Sequence, residues 1–200
     1  MLKIALTGGI ATGKSHVLER FRGRGVPCLD ADILAHGVEA AGTGATRAIA
    51  ARFGPEVLAK DGAVDRTKLA PIVFADKAAR LDLEAIVHPA VYRAIAAGLR
   101  AFELTESPRV AIVDIPLLYE TGRASDFDEV IATLCPQAMQ IARLVGRGMS
   151  EAEARERLAA QLPAAEKAAR ANYVIDTGGT FEDTDAQIQR VLEALNANRS

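Results

Sequence analysis

The eight residues Gly8-Gly9-Ile10-Ala11-Thr12-Gly13-Lys14-Ser15 have the types and spacing of a loop that holds phosphate. Glycines let a backbone curl until successive N–H groups face one anion, and a helix starting at Lys14 adds its partial positive charge. In this pattern the lysine reaches the outer phosphates of a nucleoside triphosphate and the Ser15 hydroxyl ligates Mg²⁺. Two carboxylates follow at Asp30 and Asp32 in Leu29-Asp30-Ala31-Asp32, and a third, Asp114, ends Ala111-Ile112-Val113-Asp114. Phosphoryl transfer needs an oriented nucleophile, a metal across the phosphates and positive charge on the γ-oxygens. We read Asp32 as a general base for an acceptor hydroxyl. Asp30 either holds a metal-bound water or caps a helix. Asp114 is either an outer metal partner or the cap of a turn.

These groups need a scaffold that brings them to one edge. Five short apolar runs stand out: Leu2–Thr7, Val26–Asp30, Val110–Ile115, Val130–Leu134 and Tyr173–Asp176. They are not alternating, as expected of parallel strands covered on both faces. In such a sheet ligands collect beyond the carboxyl ends of the strands. Helical patterns lie between the strands. They run over Lys14–Phe21, Ile33–Glu39, Thr46–Arg52, Thr67–Phe74, Asp76–Val87 and Ala90–Leu104, with Asp61-Gly62 as a turn and His88-Pro89 as punctuation. Ser150 and Glu153 form a capping box, followed by the i,i+4 pairs Glu151/Arg155 and Glu153/Arg157. Ile188, Val191, Leu192 and Leu195 make an apolar stripe on a last helix.

Two connections exceed a simple crossover. The resulting expectation is one domain over 1-200, with a core of 1-31, 108-135 and 173-200, a helical insertion over 32-107 and a helical lid over 136-172. The lid stretch is rich in arginine, including Arg143 and Arg147, which suits cations brought onto a transferring phosphate.

The bulk properties narrow the function. Half of the 200 residues are hydrophobic and the formal net charge is −2, so no global basic field recruits nucleic acid or an anionic membrane. No apolar run approaches the ~18 residues of a membrane span, and no targeting segment precedes the first strand, so the expected location is cytoplasmic. Cys28 and Cys135 are the only cysteines and read as two buried thiols.

Taken together, several stretches resemble the dephospho-CoA kinase family. They are the loop through Ser15, Asp30-Ala31-Asp32, Phe74, Ile86-Val87-His88-Pro89, Asp114 through Glu120, Arg155 to Gln161 and Tyr173-Val174-Ile175-Asp176. The resemblance covers about residues 2 to 179, and its discriminating parts are the His-Pro pair and Pro116-Leu117-Leu118-Tyr119-Glu120. It implies an α/β fold: a P-loop NTPase core with a five-stranded parallel sheet, a helical CoA-binding insertion and a helical lid. It also implies ATP and Mg²⁺ as cofactors and dephospho-CoA as acceptor.

By the same resemblance, Asp32 falls on the catalytic aspartate, Arg143 and Arg147 on lid arginines approaching the phosphates, and the nucleotide contacts run from Gly8 to His16. The acceptor is met by Thr7, Asp32, His88 and Arg93, although a lone His before Pro also serves to orient a loop. Glu120 is expected to pair with an arginine. His16, Gly148, Asn172 and Thr177 depart from the family pattern, and Thr177 does so beside the expected adenine contacts. Rival acceptors are those of shikimate-, gluconate- and nucleoside monophosphate-type kinases, and a different class is the nucleotide-gated switch. The absence of a Gly-Gly-Gly turn after the third strand and of an Asn-Lys-x-Asp motif counts against the shikimate type and a guanine-nucleotide switch respectively.

Overall fold

A computed structural model describes residues 1–105 and 107–197. The chain divides into two compact units, one of Met1–Leu29 with the chain from Ala101 onward, the other of Asp30–Arg100.

The first unit is built on a five-stranded sheet in the order β2-β3-β1-β4-β5. Its strands are β1 Leu2–Gly8, β2 Cys28–Asp30, β3 Val110–Asp114, β4 Glu129–Leu134 and β5 Tyr173–Asp176. β1 runs parallel to both β3 and β4, and β5 runs parallel to β4. The register pairs Leu6 with Asp114 and Gly8 with Thr133, so the phosphate loop and Asp114 leave the sheet at the same edge. Ile4, Ala5 and Leu6 of the central strand are wholly buried. Ile4 and Leu6 are covered by α1 Lys14–Arg22 and α9 Phe181–Ala197, whose Val17, Phe21, Ile188, Val191 and Leu195 pack with Ile112, Ile131 and Ile175 in one core. Each such side chain contributes about 1.5–3 kcal/mol by leaving water. The C-terminal stripe therefore packs as its spacing dictates. β5 is less covered than an interior strand, and Val174 is exposed there because β5 is an edge of the sheet.

Three helices lie between β4 and β5: α6 Gln137–Val145, α7 Glu151–Ala159 and α8 Ala164–Ala169. The capping box at Ser150 is formed in both directions, and Arg155 reaches Glu151. The Glu153 carboxylate is taken by the Ser150 amide and hydroxyl, which hold it below the usual carboxylate range. Of the cysteines, Cys135 is buried but Cys28 is only half-buried, and both are free thiols. Burial pushes the Cys28 thiol up to about 11, which keeps it protonated and unreactive at neutral pH.

The second unit is helical. It holds α2 Ala31–Val38, α3 Gly44–Phe53, α4 Arg66–Ala75 and most of α5 Lys77–Thr105, around a core of Ile49, Phe53, Val57, Leu69 and Ala79. The Asp61-Gly62 turn is present, with Gly62 at φ 86 and Asp61 accepting from the Ala63 amide. His88-Pro89 does not interrupt the chain: α5 is one 29-residue helix running through Pro89. Proline forfeits one backbone bond there, at a cost of about 3 kcal/mol. The buried residues Ala79, Ala90, Val91, Ile95 and Leu99 on both sides of it offset that loss. Among the described residues no helix is long and apolar enough to cross a membrane.

Candidate active site

β1 delivers the chain to the phosphate loop, and two glycines there are required by geometry. A Cβ on Gly8 would stand 2.1 Å from the Thr133 hydroxyl. Gly13 has φ 84, a left-handed conformation that lets the loop turn directly into α1. Thr12 ties the loop inward: its hydroxyl lies 2.8 Å from the Gly9 carbonyl and 2.6 Å from the Thr133 hydroxyl. The Thr12 amide closes a turn onto the Gly9 carbonyl, and the amides of His16 and Val17 return to the Gly13 carbonyl. The amides of Gly13, Lys14 and Ser15 have no backbone acceptor among the described residues. Three donors without a backbone acceptor at a helix N-terminus are what a polyphosphate requires.

Lys14 and Asp114 meet. The ammonium Nζ lies 2.8 Å from Asp114 Oδ2 and 2.6 Å from Oδ1, with side-chain exposures of 14% and 5%. The lysine is therefore held on the β3 carboxylate, and it starts the helix whose first amides belong to the loop. Ser15 follows on α1 and is exposed.

Other expected site residues stand differently. Thr7 is fully buried and its hydroxyl donates to the Pro116 carbonyl at 3.3 Å, so its side chain cannot present itself to an acceptor. Arg143 lines the same cavity as Gly13, and its guanidinium is also engaged by backbone carbonyls. Its Nη1 donates to the Ala11 carbonyl at 3.1 Å and its Nη2 to the Thr177 carbonyl at 2.8 Å, so it braces the loop against the segment after β5. Its position on α6 decides this: the side chain starts beside the loop and meets carbonyls first. Arg147, beyond the end of α6, is exposed and lines a cavity of about 490 Å³ with Gly13, His16, Thr177 and Phe181. His16 packs on Phe181 with ring centroids 4.8 Å apart. Thr177 is itself buried, and its hydroxyl donates to the Thr12 carbonyl at 2.6 Å.

In the 30–100 unit, Asp30 is the N-cap of α2, its Oδ1 accepting from the amides of Asp32 at 2.8 Å and Ile33 at 3.1 Å. The cap is formed through Oδ1 alone. Asp32 sits in the first turn of α2 with its side chain exposed. His88 lies mid-helix in α5 rather than in a loop, half-buried, and Arg93 is exposed five residues on. At ~100° per residue the two point about 140° apart around the helix, so they do not share one face.

Residues with no role assigned to them from sequence also build this edge. Gln140 and Gln161 hold the Ile10 peptide. Lys167 on α8 is wholly buried, with Nζ 2.7 Å from the Pro116 carbonyl and 2.7 Å from Glu120 Oε1. Glu120 thus pairs with a lysine, not an arginine, and also accepts from the Leu162 amide at 3.0 Å. Burial pulls the Lys167 ammonium below the usual lysine range, while the Glu120 bond works the other way. The pair pins the Pro116–Glu120 stretch that follows Asp114. Replacing Lys167 by Met should lower unfolding free energy by about 3 kcal/mol, because Glu120 and the Pro116 carbonyl lose a buried cation. Denaturant unfolding checks this, and a loss below about 1 kcal/mol would show that the pair does not hold the segment.

With this geometry in hand, comparison with known proteins is specific. The family model described as dephospho-CoA kinase matches residues 2–183. A dephospho-CoA kinase of Anaeromyxobacter dehalogenans is 46% identical over 200 residues, covering 100% of this chain and 94% of that protein. A crystal structure of a Thermus thermophilus protein superposes with TM-score 0.78 at 32% identity, over 100% of this chain and 98% of that one. The dephospho-CoA kinase from Campylobacter jejuni superposes with TM-score 0.73 at 26% identity, over 99% and 98% of the two chains.

Proposed function

The chain belongs to the dephospho-CoA kinase family, and from that premise we propose how its residues divide the transfer of phosphate between ATP and its acceptor. The enzyme moves the γ-phosphoryl group of ATP to the ribose 3′-hydroxyl of dephospho-CoA, giving CoA and ADP, the closing step of coenzyme A synthesis. The observation that carries the assignment of roles is the loop itself, with three amides that have no backbone acceptor among the described residues beside a lysine held on Asp114.

The amides of Gly13, Lys14 and Ser15 bind the polyphosphate, and Lys14 leaves Asp114 to neutralise the β- and γ-oxygens. Arg147 is the exposed cation of the cavity beside Gly13 and serves the nucleotide there. Asp32 accepts the proton of the attacking hydroxyl, and α5, carrying His88 and Arg93, supplies contacts to the acceptor. The support for Asp32 is its place in the Asp30-Ala31-Asp32 stretch, with the backbone at that point fixed by the Asp30 cap.

The residues suit Mg²⁺. Among the described residues no group of three or more His, Cys, Asp or Glu could cage a metal. A hydroxyl at Ser15 and a largely buried carboxylate at Asp114 are hard oxygen donors, appropriate to an ion that keeps its waters and takes its other ligands from phosphate. When bound with ATP the ion supplies charge neutralisation across the phosphates.

Purified protein incubated with Mg-ATP and, separately, dephospho-CoA, shikimate, gluconate or adenosine monophosphate tests the assignment by ADP release. Turnover should be confined to dephospho-CoA; turnover confined to another acceptor would overturn it.

A further inference from the structure

The phosphate loop contains a backbone problem that glycine does not solve. Ala11 has φ 59, in the left-handed region, although it carries a Cβ. Such a residue persists only where its surroundings over-determine it. Three consecutive peptide groups around Ala11 are held by side chains from elsewhere. The Ile10 amide donates to Gln161 Oε1 at 3.1 Å, and the Ile10 carbonyl accepts from Gln140 Nε2 at 2.6 Å. The next carbonyl, of Ala11, accepts from Arg143. Gln140 and Arg143 are three apart on α6, so one helix face receives two successive loop carbonyls. Gln161 comes from the turn between α7 and α8.

The direction of each bond follows from the backbone. An N–H needs an acceptor and a C=O needs a donor, so Gln161 must present its oxygen and Gln140 its nitrogen. Their combined effect is to engage the Ile10 amide and the Ile10 and Ala11 carbonyls with side chains. Among the described residues, the amides of Gly13, Lys14 and Ser15 beyond the reversal at Ala11 have no backbone acceptor. A carbonyl rotated inward would repel phosphate, so keeping carbonyls out is as much a part of anion binding as supplying donors.

We propose that Gln140 and Gln161 are positioning residues that clamp the Ile10 peptide and so hold the loop in its phosphate-binding curl. The proposal rests on the nucleotide-binding role given to the loop above. It concerns the polyphosphate of the nucleotide, not its base and not the acceptor. Both glutamines also line a cavity of about 670 Å³ against the outer side of the loop, with Gly9 and Ile10. Water from that cavity can replace a lost carboxamide, so removing one glutamine should loosen the loop without unfolding the protein.

The test uses Gln140→Met and Gln161→Met, which keep side-chain length and remove the polar end. Equilibrium dissociation constants for ATP, ADP and inorganic tripolyphosphate are measured on the wild type and both variants, with KM for dephospho-CoA and thermal unfolding in parallel. Each variant should weaken all three polyphosphate ligands by about fivefold to tenfold, equally, since what is lost is one neutral hydrogen bond acting on the loop. KM for dephospho-CoA should stay within twofold. Hydrogen exchange at the Ile10 amide should quicken in Gln161→Met and change less in Gln140→Met, a difference that a general loss of stability would not produce. A wild type that binds none of the three ligands overturns the nucleotide-binding role itself. A wild type that binds them, with variants that fold and bind equally well, overturns the clamp alone. Weakened ATP with unchanged tripolyphosphate would also overturn it. Should Gln140→Met fail to fold, the Gln161→Met affinities and the Ile10 exchange rate decide the matter.

Discussion

Asp32→Asn should lower kcat about 100-fold while leaving the dissociation constant for ATP within about twofold. General base catalysis spans roughly 10² to 10⁴, and phosphoryl transfer belongs near the lower end, because its loose transition state has taken little of the proton from the nucleophile. The substitution isolates chemistry from structure. Asn has the shape of Asp and no basic oxygen. The start of α2 does not depend on the side chain at 32, since Asp30 caps the helix through the amides of Asp32 and Ile33. The complementary variant is Asp30→Ala. It should cost about 1 kcal/mol of stability through the lost cap. Single-turnover measurements with saturating ATP and dephospho-CoA give the rate, and isothermal titration gives the ATP affinity. A kcat within threefold of wild type would remove Asp32 from the base role.

The contrast between Asp30 and Asp32 shows how far residue order alone carries. One ends β2 and the other sits in the first turn of α2, and the sequence offered two roles for Asp30. The choice needed the direction of its side chain, which the Asp32 and Ile33 amides set. The strands were legible because burial on both faces leaves runs such as Ile4-Ala5-Leu6 with no polar alternation. The loop was legible because its chemistry resides largely in backbone geometry, which glycine spacing encodes directly.

What escaped the sequence shares one cause. Arg143, Gln140, Gln161 and Lys167 act on backbone carbonyls and amides far along the chain, across separations of 51 to 151 residues. No local pattern marks a polar side chain whose partner is a peptide group. An arginine in a helical stretch looks the same whether it will meet phosphate or the Ala11 carbonyl. Pro89 misled for the opposite reason, because a local rule was overridden by the packing of Ala90, Val91 and Ile95. The apparent break was only a missing bond inside a helix held by its buried face.

Lys14→Met should reduce kcat/KM by about 10² to 10³, the usual effect of deleting one preorganised group that stabilises charge in the transition state. Here the substitution has a second consequence. Lys14 lies against both oxygens of Asp114, whose carboxylate is 4% exposed as a residue. Methionine removes that cation from a carboxylate with little access to water, so the variant should also unfold more easily, by about 2 kcal/mol or more. The two effects separate in a double mutant. Asp114→Asn added to Lys14→Met removes the buried charge that has lost Lys14 and should restore much of the stability, with a coupling free energy of about 1 kcal/mol or more in the cycle. It cannot restore turnover, because the Lys14 charge is still missing from the γ-oxygens and the carboxylate suited to the metal's surroundings is gone. Denaturant unfolding of the four proteins in the cycle and their turnover with dephospho-CoA give both answers. Recovery of activity together with stability would mean that Lys14 serves Asp114 rather than the phosphates. Stability unmoved by Lys14→Met would mean that the contact with Asp114 contributes nothing to the fold, leaving the lysine free for the nucleotide at no structural cost.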